Sequence, residues 1–511
     1  MARRETNKIQ VSGYQWLGRK LEAAIVLGKT DITEVSYLAR HRTAVVAYAP
    51  GLVGALALVA FLLGWMRPQP SQKESEVMAD RNGVLYVLYE NRLYSALNLA
   101  SARLIAGKPD ATTIVSDETL DGIPRGGRVG IPGAPGNLAA RTDDVAQWAV
   151  CDWRDYSQSM SLEKPHGPRT VVIAGTDMIT SGHALTGGRA VLARVNEPEP
   201  QLWLLFDGKR ARIGMRDFAT WQTLHIDADQ VEHAPVFSAG LLNSINTVPV
   251  LSVPLIAKRG EVSHAVPDSV NGDVKVVARP DGTFDYYIVL DDGVQRVPSL
   301  VADLFTNTNS ARIMVSRPSE VTTLPQQSHI NVSQYPQRIP DLDNPTALCS
   351  IWRKGRNQLT AETSLITDDT LPVSAEAAEK VRMMVPPVGT PDQADAVLTA
   401  PNRGWYVRVT GDDASSLSVE QLFFIDDTGV AFPIGPQGTD RQDGINYDDT
   451  VAALGLNTQM PLPIPWSVAS LFGHGPTLDP EFARRVHDVV GDSKAVRVLP
   501  PPHGTDHSAQ H

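Results

Sequence analysis

Paired carboxylates are the residues of this 511-residue chain whose type and spacing first suggest chemistry. Asp291-Asp292 and Asp426-Asp427 could serve as a general acid and a general base. Each pair directly follows an apolar run, at a place where Asp commonly accepts hydrogen bonds from turn backbone. We therefore favour a turn role for both pairs. The sequence has no G-x-S-x-G or H-E-x-x-H motif and its 12 histidines are scattered, so nucleophilic and metal catalysis have no anchor.

Gly28-Lys29-Thr30 matches the end of a phosphate-binding P-loop. The complete motif requires a glycine five residues before Gly28, where this chain has Ala23. The preceding residues also have helical periodicity, whereas a P-loop follows a strand. A helix that ends at Gly28 explains the string more simply, and no cofactor site is evident from the residues alone.

One segment is long and apolar enough to cross a membrane. Residues 44–66 contain 23 consecutive positions without Asp, Glu, Lys or Arg. At about 1.5 Å per residue, a helix of this length crosses the roughly 30 Å hydrocarbon layer of a bilayer. The sequence therefore predicts a single transmembrane helix at 44–66.

The charges on either side of this segment predict its orientation. Residues 1–43 carry eight Lys and Arg, whereas the first 15 residues after the span carry three. The positive-inside rule then places the N-terminus in the cytoplasm and the C-terminal part on the outer side of the membrane. The exported part has 38 basic and 53 acidic residues, a net charge of −15 that argues against nucleic acid as a partner.

The two cysteines agree with an exported location. Cys151 and Cys349 both lie beyond the predicted span, where thiols can oxidise, and neither belongs to a C-x-x-C motif. A single long-range disulfide is the preferred interpretation. Two unrelated buried thiols are the alternative.

The N-terminal segment has the pattern of an amphipathic helix. Val11, Tyr14, Leu17, Leu21 and Ile25 recur at helical spacing. The short cytoplasmic segment has no core to cover them, so the helix is expected to dock into a partner or to lie on the inner leaflet. We take these five residues as a candidate partner-docking face.

The chain divides by composition into five segments. They are a cytoplasmic helix and linker (1–43), the span (44–66), a polar stalk (67–80), an ectodomain (81–490) and a tail predicted to be disordered (491–511). A turn-rich loop is predicted at 124–136, where Gly and Pro are dense.

A strand, turn, strand and helix pattern recurs four times in the ectodomain. The predicted repeats lie near 83–120, 200–225, 285–310 and 420–456. Asp207-Gly208 and Asp292-Gly293 are strong hairpin signals. Four modules inserted around a central domain would explain the pattern, and four unrelated hairpins are the alternative.

Several strings together resemble the EccB family, the single-span membrane component of type VII (ESX) secretion systems of mycobacteria and actinobacteria. The strings are Val11-Ser12-Gly13-Tyr14 with Arg19-Lys20, the run 98–104, the run 130–135, Cys151-Asp152, Pro465-Trp466 and the run 475–478. Their order and spacing cover the chain from the N-terminal helix to about residue 490.

The resemblance implies a fold: a single transmembrane helix plus an α+β ectodomain, with a central β-rich domain flanked by four hairpin-helix repeat modules and bridged by Cys151 and Cys349. It implies partners of the EccC, EccD and EccE types, a mycosin protease, and self-association into a hexameric ring. It also implies a structural and interaction subunit, a single-pass protein of the inner membrane whose periplasmic ectodomain forms the exported part of the export channel. The family is commonly described as an ATPase, which gives ATP hydrolysis as an alternative function, and binding of peptidoglycan through the repeats as another.

Overall fold

The computed structural model describes residues 7–27, 76–154, 169–195, 199–308, 311–384, 393–436, 447–488 and 497–498, together with Val53 and Leu58. The chain divides into two compact units, Met1–Glu74 and Ser75–His511. Among these described residues, no helix combines the length and apolar character needed to cross a bilayer. The predicted span at 44–66 lies outside the described residues apart from Val53 and Leu58.

The first unit contains the amphipathic helix that the sequence predicts. Helix α1 (Lys8–Leu27) extends over 20 residues, or about 30 Å at 1.5 Å per residue. It starts three residues before the first apolar position of the predicted face, Val11, and ends one residue before Gly28.

A central seven-stranded sheet organises the second unit, in the order β20-β21-β7-β6-β18-β19-β8. Its strands are β6 (Val145–Trp153), β7 (Arg169–Ala174), β8 (His183–Ala184), β18 (Ala347–Gly355), β19 (Glu362–Asp368), β20 (Arg382–Met383) and β21 (Ala396–Leu398). All six residues of β7 are buried, as expected for a strand that is covered on both faces. A short helix, α9 (Ala375–Ala378), lies between β19 and β20.

The N-terminal sheet has the order β28-β27-β5-β3-β2-β1-β4. Its strands are β1 (Val77–Ala79), β2 (Leu85–Tyr89), β3 (Arg92–Ala96), β4 (Thr113–Ile114), β5 (Arg125–Val129), β27 (Arg485–His487) and β28 (Arg497–Val498). The first three strands form an antiparallel meander, β4 runs parallel to β1, and β5 runs parallel to β3. Helices α2 (Leu99–Ala106) and α3 (Asp117–Asp121) make the two crossovers.

The sheet nearest the C-terminus, which we call the fourth sheet, has the order β25-β22-β23-β24-β26. Its strands are connected in the same way as β4-β1-β2-β3-β5 of the N-terminal sheet. Its strands are β22 (Trp405–Thr410), β23 (Leu422–Ile425), β24 (Val430–Pro433), β25 (Leu462–Pro465) and β26 (Gly473–His474). Helices α10 (Asp448–Leu454) and α11 (Trp466–Ala469) make its crossovers, and α12 (Pro480–Ala483) follows.

The third sheet is shorter, with the order β15-β14-β13-β16. Its strands are β13 (Val274–Ala278), β14 (Phe284–Leu290), β15 (Gly293–Val297) and β16 (Ile313–Val315). Helix α7 (Ser299–Asn307) crosses to β16, and α8 (Pro318–Thr322) follows it. A single parallel bridge from Val294 to Gln326 stands where the other sheets have a fifth strand.

The second sheet, β12-β11-β10-β9-β17, encloses the third in sequence. Its strands are β9 (Arg189–Val195), β10 (Gln201–Phe206), β11 (Lys209–Ile213), β12 (Asn246–Val248) and β17 (Asp341–Asp343). Helices α4 (Phe218–Thr223), α5 (Ala228–Glu232) and α6 (Ala239–Asn243) connect β11 to β12. Because β17 returns to β9 only after β16, the third sheet is inserted into the second.

Three apolar cores join these sheets, two of them between a pair of sheets and the largest among three. The N-terminal and fourth sheets share a core that contains Val129 and Phe424. The second and third sheets share another, around Leu204 and Ile288. The largest core joins the central sheet to the second and fourth, where Trp148 stacks edge-on against Trp405 at 5.1 Å between ring centroids. Burial therefore links segments that are far apart in sequence.

Three predicted boundaries differ from the structure. Strand β1 lies inside the predicted stalk 67–80, and β5 lies inside the predicted loop 124–136. Arg497 and Val498, within the tail predicted to be disordered, form β28. In each case the strand is specified by pairing with a distant segment rather than by its own composition.

Candidate partner-docking site

Helix α1 presents the five predicted docking residues on one exposed side. A spacing of three, four and seven residues keeps side chains on the same helix face. Their exposed fractions are 47% for Val11, 77% for Tyr14, 49% for Leu17, 56% for Leu21 and 81% for Ile25. An apolar stripe of this kind is the usual feature of a helix that binds in a hydrophobic groove.

The predicted disulfide is confirmed. Cys151 of β6 lies directly opposite Cys349 of β18 in the antiparallel ladder, and the two sulfurs are bonded. Their Cα atoms are 4.0 Å apart and both residues are buried. The second and third sheets lie within the 198-residue sequence separation, so the bond closes the loop that contains both.

Asp152, next to the disulfide, joins the central sheet to helix α6. Its Oδ1 accepts hydrogen bonds from the hydroxyls of Thr170 at 2.8 Å and Ser238 at 2.9 Å, and its Oδ2 accepts one from the Ser238 amide at 2.6 Å. Ser238 caps the N-terminus of α6, where its hydroxyl accepts a hydrogen bond from Leu241. Complete burial raises the pKa of Asp152 to about 6, and the charge of Asp395 acts in the same direction.

Two hairpin turns, the predicted one at Asp207-Gly208 and one at Gly429, pack against the central sheet. Asp207 and Gly208 both have positive φ, as a two-residue type I′ turn requires. A Cβ on Gly208 would lie 2.7 Å from the carbonyl oxygen of Thr363 in β19, and one on Gly429 would lie 2.5 Å from Val397 in β21. The sequence cannot distinguish an exposed turn from one that needs glycine for close contact.

The two carboxylate pairs stabilise turns. Asp291 accepts hydrogen bonds from Lys258 and His264, which hold its pKa well below the usual range. Asp292 pairs with His329 at 2.9 Å. Both carboxylates tie neighbouring loops to the β14–β15 turn.

The second pair has the same role in the fourth sheet. Asp426 accepts hydrogen bonds through Oδ1 from the amides of Thr428 and Val430. Asp427 accepts one from the amide of Asn402. These contacts are those of turn residues rather than of a general acid and base.

Two of the segments that resemble the EccB family, 98–104 and 130–135, are hydrogen-bonded to each other in one joint. Asn98 caps α2 and donates through Nδ2 to the Ile131 carbonyl at 2.8 Å, while the Ile131 amide donates to the Ser101 hydroxyl at 2.8 Å. Gly130, with φ +135°, leaves no space for a Cβ, which would lie 2.9 Å from the Ser101 hydroxyl oxygen. The run 98–104 and the run 130–135 are therefore parts of one structural contact.

The same joint reaches the C-terminal part of the chain. Arg103 of α2 donates to the Leu454 carbonyl at the end of α10 at 3.0 Å. The buried His487 of β27 lies 2.9 Å from the Gly130 carbonyl oxygen. The N-terminal sheet is thus fixed to both the fourth sheet and the C-terminal strand.

Sequence reasoning did not identify Asp152 as a junction residue, nor its partners Thr170 and Ser238. The one available signal was a charged residue in the apolar run of β6, since buried carboxylates are rare without specific partners. Within the described ranges, no group of three or more His, Cys, Asp or Glu could hold a metal ion. Gly28-Lys29-Thr30 lies outside those ranges.

Comparison with known proteins gives matches along nearly the whole chain. Residues 3–492 match the family model for the type VII secretion system ESX-1, transport TM domain B. The chain is 34% identical over 507 residues to the ESX-3 secretion system ATPase EccB3 of Mycolicibacterium smegmatis, covering 94% of this chain and 90% of that protein. It is 32% identical over 496 residues to the ESX-5 secretion system ATPase EccB5 of Mycobacterium tuberculosis H37Rv, covering 95% and 94%.

This chain also superposes on chains of solved ESX complexes. A chain of an intact ESX-5 inner membrane complex superposes with a TM-score of 0.69 at 29% identity, covering 98% of this chain and 99% of that one. The EccB3 dimer from the ESX-3 core complex gives a TM-score of 0.67 at 31% identity, covering 80% and 99%. The chain therefore belongs to the EccB family of type VII secretion proteins.

Proposed function

We propose that this chain is a structural and interaction subunit of a type VII secretion inner membrane complex and forms part of its exported assembly. The observation that carries the proposal is the whole-length likeness to a chain of an intact ESX-5 inner membrane complex. The five sheets pack into one compact unit that can serve as such a scaffold, and α1 supplies an exposed apolar face for binding.

The proposal includes the membrane topology. Residues 44–66 cross the inner membrane once, with the N-terminus in the cytoplasm and the ectodomain in the periplasm. The apolar run and the eight basic residues before it support this arrangement. A solved ESX-5 periplasmic assembly that covers 83% of this chain at a TM-score of 0.66 agrees with it.

The proposal also includes the modules and the partners. The N-terminal and fourth sheets share one connection order, and the third sheet follows it through its four strands, which supports a common repeated module with a variant in the second sheet. Self-association is supported by the solved EccB3 dimer. We extend it to a hexameric ring with EccC, EccD and EccE type components and a mycosin protease.

The experiment replaces an apolar residue of α1 with a charged one in the full-length chain. Leu17→Asp or Leu21→Asp is expected to reduce co-purification of the other membrane components at least severalfold, because a charge in an apolar groove costs several kcal/mol. Gln15→Asp places the same charge on an exposed polar position of α1 and is the matched control. Unchanged yield from both leucine variants would remove α1 as a docking element.

ATP hydrolysis is the alternative function, because the relatives are named ATPases. The sequence lacks the first glycine of a P-loop at position 23, and the ectodomain carries a net charge of −15, which disfavours binding of a polyphosphate. A structural role needs neither feature, so it is the function that the observations support best.

A further inference from the structure

Helix α1 has a second exposed stripe opposite its docking face. At about 100° per residue, Trp16 lies roughly 200° from Tyr14, so the two point to opposite sides of the helix. Trp16 is 50% exposed and Ile9, on the same side, is 76% exposed. The Lys20 ammonium lies 5.3 Å from the centroid of the Trp16 ring, so a cation and an aromatic ring lie together on this side.

The charges of α1 are divided between its two sides. Lys8 and Arg19 lie on one flank of Trp16 and Lys20 on the other, all within about 80° of it around the helix. The one acidic residue of α1, Glu22, is about 120° from Trp16 and borders the docking face instead. We name Lys8, Ile9, Trp16, Arg19 and Lys20 the basic stripe; it carries three positive charges and no negative one.

This pattern decides which side suits a lipid surface. A helix that inserts its broad apolar face into a leaflet usually has cations on both flanks of that face. Here the cations instead flank Trp16 and Ile9, and the apolar face has an acid on one border. Trp favours the headgroup region, and each Lys or Arg near an anionic leaflet contributes about 1 kcal/mol.

The length of the connecting chain keeps α1 near the membrane. Sixteen residues separate Leu27 from the start of the apolar run at position 44. Fully extended, they span at most about 55 Å. We infer that the basic stripe lies on the anionic phospholipid headgroups of the cytoplasmic leaflet, while the opposite face binds a protein partner. This inference rests on the proposed transmembrane span.

The two native cysteines allow a direct test. Both are used in the Cys151–Cys349 bond, so a cysteine introduced into α1 is the one free thiol of this chain. Ile9→Cys probes the basic stripe without removing Trp16, and Tyr14→Cys probes the docking face. The assembled inner membrane complex would be purified with each variant. It would then be reconstituted in nanodiscs of phosphatidylcholine, with or without one-third phosphatidylglycerol.

The measurement is the labelling rate of this chain by a charged, membrane-impermeant maleimide. We expect labelling of Ile9→Cys to be at least about fivefold slower with phosphatidylglycerol than without it, and to recover in high salt, because screening weakens exposed charges. Adding Arg19→Gln and Lys20→Gln to Ile9→Cys should abolish the lipid dependence. Tyr14→Cys is expected to label at one rate in both lipids.

Three outcomes would overturn the inference. Fast labelling of Ile9→Cys in both lipids would show that the stripe faces water. Slow labelling in both, insensitive to salt, would show that a protein covers it. Lipid-dependent protection of Tyr14→Cys would show that the apolar face is the one in the leaflet. If the chain does not elute with the nanodiscs at all, the proposed span fails instead.

Discussion

Asp152 gives the ectodomain a pH dependence whose size follows from the structure. Its pKa is raised to about 6 from an ordinary 3.8 because the carboxylate is completely buried. At 1.36 kcal/mol per pKa unit, this difference amounts to about 3 kcal/mol. The raised pKa means that the folded state binds the proton more tightly than the unfolded state does. The contribution of Asp152 to stability is therefore greatest below about pH 4, declines as pH rises to about 6, and is constant above.

Asp152→Asn removes the titration and keeps a side chain of the same shape. We expect the difference in unfolding free energy, variant minus wild type, to increase by up to about 3 kcal/mol between pH 4 and pH 7. The absolute stability of the variant also includes altered hydrogen bonds to Ser238 and Thr170, but that contribution does not change with pH. Urea denaturation of residues 67–511 at several pH values measures the difference.

Thr170→Val is the matched control. It removes one hydrogen bond that lowers the pKa of Asp152 and leaves the carboxyl group in place. The decline in stability should therefore persist and extend to higher pH. If the plots of unfolding free energy against pH for the wild type and Asp152→Asn are parallel across this range, the assignment of a buried, titrating carboxylate at this junction is refuted.

Three further predictions concern the fold and the chemistry. Replacing Cys151 and Cys349 with serine should lower the free energy of unfolding by about 2–5 kcal/mol, measured by denaturation under non-reducing conditions. Gly208→Ala should cost about 1–3 kcal/mol more than Gly282→Ala, which has a similar positive φ but open space around it; equal melting temperatures would contradict the contact with β19. Full-length protein and its Lys29→Ala variant should release phosphate from magnesium ATP at the same background rate, and a saturable rate lost on this substitution would establish a nucleotide site.

The elements that the sequence located are those with local signals. The helical spacing from Val11 to Ile25 predicts α1, and turns such as Asp207-Gly208 predict the second and third strands of each repeat. The first strand of each repeat lies before the predicted bounds of that repeat. Strand β1, for example, is three residues long and is specified by its pairing with β2 and β4.

Long-range relations are the part that the sequence could not supply. The insertion of the third sheet into the second depends on β17 returning to β9, 146 residues after β9 ends. The addition of β27 to the N-terminal sheet depends on Val486 pairing with Val129. Such pairings depend on the three-dimensional packing of both partners, because β-propensity reflects context more than the residue itself.

The candidate site likewise contains one feature that the sequence predicts and one that it does not. The partnership of Cys151 with Cys349 followed from compartment and count, since there were only two cysteines to pair. The role of Asp152 did not, because nothing in the sequence links it to Ser238, 86 positions later. A buried carboxylate is recognised only when its hydrogen-bond donors are known.

The central claim, that the chain is a structural subunit, is tested most directly by the mass of the inner membrane complex in a native host from which the chain has been deleted. The claim predicts that the large complex is absent on a native gel. It also predicts that the wild-type chain and its Lys29→Ala variant restore the complex equally, since assembly needs contacts rather than nucleotide turnover. A complex of undiminished size in the deletion strain would contradict the account, as would restoration by the wild type alone.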